Sequence, residues 1–227
     1  MNMEILGLPH DYYDFSPRLK DLYIESLIEK RIITKEEELK NLIIKDEYAI
    51  YPKRYYERVR PLTCKKYIDF CFIGTINIDQ HTQKNRKWIL EFIKRKFTDF
   101  SYLQLTDQSI KSHYIRMGIY DATNKINGMV PKFLPLKRQS EFDINYFTKL
   151  AASMFSLCPA GDAFYSMRFY ESLMCKSIPI VKYKNETYRT REEQVLDYKY
   201  YLTTDKHIFR EEWVEHNYRI FMKYHTL

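Results

Sequence analysis

At 227 residues, with 45% hydrophobic and 30% charged residues, the chain has the balance of a globular protein with one large domain and room for a smaller appendage. The net charge of +7 favours anionic partners such as nucleotide phosphates, nucleic acid or a membrane surface, or else is a scattered solvated charge; with no Lys/Arg block, a dedicated nucleic-acid tail is disfavoured. No stretch reaches membrane-spanning length, Glu4 and Asp11 stand where a signal peptide would be apolar, and Cys64, Cys71, Cys158 and Cys175 form no C-x-x-C pair, so a cytoplasmic chain with reduced thiols and no zinc site is expected.

Residues 1–62 read as a mainly helical N-terminal region. Ser16-Pro17 is an N-cap and first helical residue, with Leu19, Tyr23 and Leu27 on one face. Thr34-x-x-Glu37 is a capping box opening a second helix. Pro52 and Pro61 bracket a connector rich in Tyr and Arg. From residue 63 to 227 the pattern changes to alternation. Tyr67 to Ile73 is an apolar run ending at Gly74, the pattern of a buried strand. Asn85 to Phe97 has helical spacing, and Phe100 to Leu105 is a second strand. Ser109 to Met117 is a further helix candidate, and 121–140 a long loop around a short strand. Asp143 caps a helix running through Leu150, followed by a strand from Met154 to Cys158, a helix from Ser166 to Cys175 and a strand from Ile178 to Lys182. A short helix over Arg191–Asp197, an edge strand over Tyr200–Thr203 and a C-terminal helix from Phe209 to Tyr224 complete the chain.

Strands alternating with helices predict an α/β fold, a Rossmann-like parallel sheet with helices on both faces. Ligands in such sheets sit beyond the carboxyl ends of the strands. That rule selects the loop from Gly74 and Thr75 to His81, and the loop from Pro159 to Ser166. In a chain with only 5 glycines, Gly74 and Gly161 both fall there, where a missing side chain lets backbone N–H groups approach a phosphate.

The densest signal is the run from Phe155 to Val181. A glycine-containing loop opens a helix at Ser166, whose hydroxyl can cap it or meet a phosphate. Arg168 lies in the first turn, where a cation opposes the helix dipole, which points to a local anion. Glu171, three residues on, can accept hydrogen bonds from ribose hydroxyls. Equally, Arg168 and Glu171 can form an i, i+3 surface pair.

These residues resemble the signature of exostosin-type glycosyltransferases: Pro159, Gly161, Ser166, Arg168, Glu171, Ile178 and Pro179, with Ile180 where Val is usual. Phe72-Ile73-Gly74 and Arg86 resemble the family's Phe-x-Gly strand end and the Arg near the start of the next helix. The resemblance covers about residues 65 to 225. It implies an inverting enzyme of GT-B type, with two Rossmann-like lobes and the donor bound mainly by the second. It also implies a nucleoside diphosphate sugar, of the UDP class first, as donor substrate. The donor-site residues carried over are Gly74, Thr75, Arg86, Pro159, Gly161, Ser166, Arg168 and Glu171. Two positions depart from the pattern: Ala160 stands where Arg is frequent, and Lys176 where the helix usually ends in Gly. Residues 1–62 would be a reduced acceptor lobe, or the acceptor lobe would come from elsewhere.

No Asp-x-Asp motif occurs, so no cofactor or divalent metal is predicted, and Arg168, the helix dipole and Arg86 would meet the diphosphate charge. Inverting transfer needs a general base, for which Asp79, His81, His10 and Asp11 are the candidates, each equally readable as a solvated polar residue. Tyr12, Tyr13, Tyr55 and Tyr56 can stack on acceptor sugars or pack. Lys132, Lys137 and Arg138 can meet the donor or form a solvated cluster. The expected partners are a nucleotide-sugar donor and an oligosaccharide or glycoprotein acceptor, without nucleic acid. An inactive nucleotide- or glycan-binding module and a basic nucleic-acid-binding protein are the alternatives. Richness in Lys, Ile, Tyr and Asn fits an A/T-rich genome, viral or microbial, which would make a host cytoplasm one setting.

Overall fold

The computed structural model describes residues 51, 53–63, 65–76, 83–106, 125, 127, 129–134, 143–160, 166–182 and 197–226. The expected helices opening at Ser16 and at Thr34, and those over 109–117 and 191–197, lie wholly or almost wholly outside these residues. Among the described residues the elements are α1 (Lys53–Val59), a 3-10 turn (Arg60–Leu62), β1 (Ile68–Gly74), α2 (Gln83–Lys96), β2 (Tyr102–Leu105), β3 (Lys132–Phe133), α3 (Ile144–Ala151), β4 (Ser153–Leu157), α4 (Met167–Met174), β5 (Ile178–Val181), β6 (Tyr201–Leu202) and α5 (Glu211–Tyr224). The six strands form one sheet in the order β3-β2-β1-β4-β5-β6. Every pairing is parallel. This is the doubly wound Rossmann-like arrangement, and β6 is an edge strand, as its sequence suggests.

Side chains alternate across β1 from Phe70 to Ile73. Cys71 and Ile73 enter one core cluster with α1, α3 and α4, which Ile68 at the strand start also joins, while Phe70 and Phe72 meet α2 on the other face. α5 serves both faces, with Val214 in the second cluster and Ile220 and Phe221 in the first. The α2 face is aromatic: the Phe70 ring lies 5.4 Å from Phe92, 5.4 Å from Phe155 and 5.7 Å from His207. Phe72, Phe92 and Phe97 are fully buried, each worth about 1.5–3 kcal/mol of apolar transfer. That face alone secures β1 at the centre of the sheet. The segment before residue 63 docks on the opposite face through Tyr51 and Val59, and the backbone N–H of Tyr51 donates to His225 at 2.8 Å. The described residues contain no helix long and apolar enough to cross a membrane.

Helix ends carry much of the positional control. Asp143 caps α3, its side chain accepting from the Tyr146 N–H at 3.0 Å. Lys66, just before β1, donates to the carbonyls of Ala151 (2.5 Å) and Cys175 (3.0 Å). One cation thereby meets the carboxyl ends of α3 and α4 together and sets the two helices side by side. α4 ends in a Schellman motif, with Ser177 N–H donating to Ser172 at 2.9 Å and Lys176 N–H to Leu173 at 3.1 Å. Lys176 occupies the left-handed position, φ 56°, at a cost of roughly 1–2 kcal/mol for a residue with a Cβ. The helix therefore ends as a glycine would end it. The Lys176 ammonium offsets part of the cost through Glu215, 2.7 Å away, and the Tyr218 ring, 4.6 Å from its centroid.

Candidate functional site

The strand order creates a crevice. From β1 the chain leaves through α2 toward β2 on one side, and from β4 it leaves through α4 toward β5 on the other. The two connections diverge beyond the carboxyl ends of neighbouring strands, at the topological switch point. Gly74 and Thr75 close β1 on one side of this crevice. Pro159, buried, follows β4, and Ser166 opens α4 on the other side.

Arg168 spans the gap. From the first turn of α4 its guanidinium reaches over the end of β1, where Nη2 donates to the Ile73 carbonyl. The group also lies 5.0 Å from the centroid of the Phe72 ring, a cation–π contact. Gly74 permits the approach, because a Cβ there would meet Arg168 Nη2 at 2.6 Å. The Arg168 Nε is buried and has no hydrogen-bond partner among the described residues. No carboxylate there lies within ion-pair distance of Arg168, although the Glu171 carboxyl feels its charge. Arg86, in the first turn of α2, donates from Nη1 to the Thr75 carbonyl at 2.8 Å and so shapes the loop after β1.

Ser166 holds the N-cap position of α4, yet its hydroxyl makes no capping hydrogen bond. Its Oγ is buried without a partner among the described residues. A buried hydroxyl without a hydrogen bond carries a desolvation cost. The i, i+3 ion pair between Arg168 and Glu171 does not form. Instead Glu171 Oε2 accepts the Tyr146 hydroxyl from α3. Burial raises the Glu171 carboxyl above its ordinary range, against the opposing pull of the Tyr146 hydrogen bond and the Arg168 charge. Burial likewise raises Tyr146 well above the usual phenol value, with the Glu171 charge adding to it.

A carboxyl whose folded pKa lies above its unfolded one holds its proton more tightly in the folded chain. Ionising Glu171 therefore costs stability, and the cost grows as pH rises from the unfolded value through the raised folded value. Glu171→Gln keeps an oxygen that accepts from Tyr146 and removes the buried charge. We expect this variant to melt above the natural protein at pH 7 and to lose that advantage below about pH 4. Thermal melts at both pH values check it, and a variant melting lower at pH 7 would contradict a net cost of the charge.

Of the residues singled out by sequence, Gly74, Thr75, Pro159, Ser166, Arg168 and Glu171 line the switch-point crevice or the turn behind it, and Arg86 braces it. Gly161, Asp79, His81, His10 and Asp11 lie outside the described residues, as do Tyr12, Tyr13, Lys137 and Arg138 and the side chain of Tyr55. Tyr56 is half-buried and packs on the core, while Lys132 lies over the Tyr102 ring at 5.4 Å. Cys71, Cys158 and Cys175 are free and buried. Burial pushes Cys71 and Cys158 up to about 12, so they remain neutral core thiols. Sequence reasoning missed Tyr146 and Phe72 as members of the site. The Phe-x-Gly strand end did hold the signal for Phe72. Tyr146 had none, because its link to Glu171 spans 25 residues. The unused guanidinium and hydroxyl hydrogens at a helix N-terminus suit an anion with several oxygens, and the neighbouring carboxylate suits hydroxyl donors. The chain matches no protein-family model and no curated protein sequence.

Proposed function

We propose that the switch-point crevice binds a nucleoside diphosphate sugar, of the UDP class, and that the chain is an inverting glycosyltransferase acting on a glycan hydroxyl. The observation that carries the reading is Arg168. It is a cation bridging the end of β1 and the start of α4, with a buried N–H that has no partner and no carboxylate at ion-pair distance among the described residues. A diphosphate supplies further negative charge and the missing acceptor. Ser166 Oγ has the same need, and Glu171 follows Arg168 by three residues on α4.

In this reading the acceptor oxygen attacks the anomeric carbon from the face opposite the diphosphate. The bond from that carbon to the diphosphate oxygen breaks, and its electron pair leaves with the diphosphate. Arg168 and the N-terminus of α4 stabilise the charge that develops there. The acceptor proton passes to a base, for which Asp79, His81, His10 and Asp11 are the candidates. The sequence has no Asp-x-Asp pair to bridge a metal to the diphosphate, so the protein's own cations carry that role.

A thermal-shift screen against UDP, GDP, ADP and CMP tests the reading. UDP is expected to raise the melting temperature most, since a ligand at 100 times its Kd adds about 2.7 kcal/mol. No shift with any of the four would overturn nucleotide binding. A UDP shift without turnover of any UDP-sugar would leave a binding module in place of an enzyme.

A further inference from the structure

We infer that Tyr146 is the positioning residue for Glu171, committing one carboxylate oxygen so that the other is held ready to accept a ligand hydroxyl. The inference rests on the reading that the crevice takes a nucleotide. The hydroxyl is held in place from several sides. Its ring packs edge-on against Phe147 at 5.0 Å, and its own N–H is fixed by Asp143 at 3.0 Å. The far end of α3 is tied to α4 through Lys66. Lys66 thus fixes the carboxyl ends of α3 and α4 side by side, and the Asp143 cap fixes the first turn of α3 from which Tyr146 reaches Glu171.

The hydrogen bond has a second effect. The groups that interact with Glu171 are Arg168 on its own helix, Tyr146 from α3, Cys158 after β4 and Cys175 after α4. Burial keeps both thiols neutral through the physiological range. Tyr146 and Arg168 are thus the two groups that favour the ionised form of Glu171 against its own burial. A protonated carboxyl would offer a donor where a ribose hydroxyl needs an acceptor, so Tyr146 sets both the direction of the carboxylate and the pH range in which it works.

Tyr146→Phe in the full chain tests this, since it keeps the ring and deletes only the donor. The carboxyl carbon of Glu171, followed by NMR titration without ligand, is expected to reach its midpoint at a higher pH than in the natural protein, because the hydrogen bond that lowers it is gone. At pH 7, UDP affinity is expected to fall roughly tenfold, while inorganic diphosphate, which has no ribose, binds within about twofold of the natural protein and reports an intact fold. In a Glu171→Ala background, Tyr146→Phe is expected to cost no further UDP affinity. An unmoved carboxyl midpoint overturns the inference, as does an equal loss for UDP and diphosphate, which would mark Tyr146 as packing alone. If the natural protein binds no UDP, the nucleotide reading falls, and the carboxyl midpoint still decides whether Tyr146 governs Glu171.

Discussion

Arg168→Ala is expected to reduce UDP affinity by about 10- to 150-fold, the loss of a charge-assisted contact worth roughly 1.5–3 kcal/mol. Inorganic diphosphate should lose a similar factor, because in the proposed reading the guanidinium meets the phosphates and not the ribose or base. Within the fold, Arg168 makes one hydrogen bond to a carbonyl and one ring contact, so the stability cost should stay near 1 kcal/mol. Arg168→Lys separates charge from geometry. A lysine ammonium is a point charge that cannot hold the Ile73 carbonyl and a bidentate anion together, so it should recover only part of the affinity. Calorimetric titration with both ligands decides the matter, and a folded alanine variant with unchanged affinity would remove Arg168 from the site.

Gly74→Ala should damage the same contact from the other side, with a loss on the order of tenfold in UDP affinity. The added Cβ would stand 2.6 Å from Arg168 Nη2 and 3.5 Å from the Phe72 ring. The φ of 159° is one that residues with a Cβ rarely adopt, so the substitution also strains the end of β1 and lowers the melting temperature. The atom in the way is the far end of a long side chain, so Arg168 is displaced while β1 stays in register. This yields a double-mutant cycle. Gly74→Ala in the Arg168→Ala background should cost no further affinity, since no guanidinium remains to be displaced. Additive losses would mean that Gly74 serves the ligand directly, through close backbone approach, and not through Arg168.

The local grammar of the chain was legible in the sequence. The apolar run Tyr67–Ile73 became β1 over Ile68–Gly74, and the helical spacing of Asn85–Phe97 became α2 over Gln83–Lys96. Asp143 caps α3 as its position suggests. These features depend on neighbours within a turn or a strand, and periodicity records which face each element buries. Alternation then dictated a parallel sheet, and the rule of carboxyl-end loops picked the two strand ends, at Gly74 and at Pro159, that flank the crevice. Tertiary structure decided the contacts across that crevice. Arg168 finds the Ile73 carbonyl 95 residues away in sequence, because β4 pairs with β1 while β2 takes the other side. The expected neighbour pair of Arg168 and Glu171 dissolves, since α3 brings a tyrosine hydroxyl to the carboxylate and β1 brings a carbonyl to the guanidinium. Lys176 adopts a left-handed cap that its own preference opposes, because β5 must start immediately after α4. Periodicity says that a face is buried, but not what lies across from it; that choice belongs to strand order and helix packing, where contacts distant in sequence outweigh a few tenths of a kcal/mol of local preference.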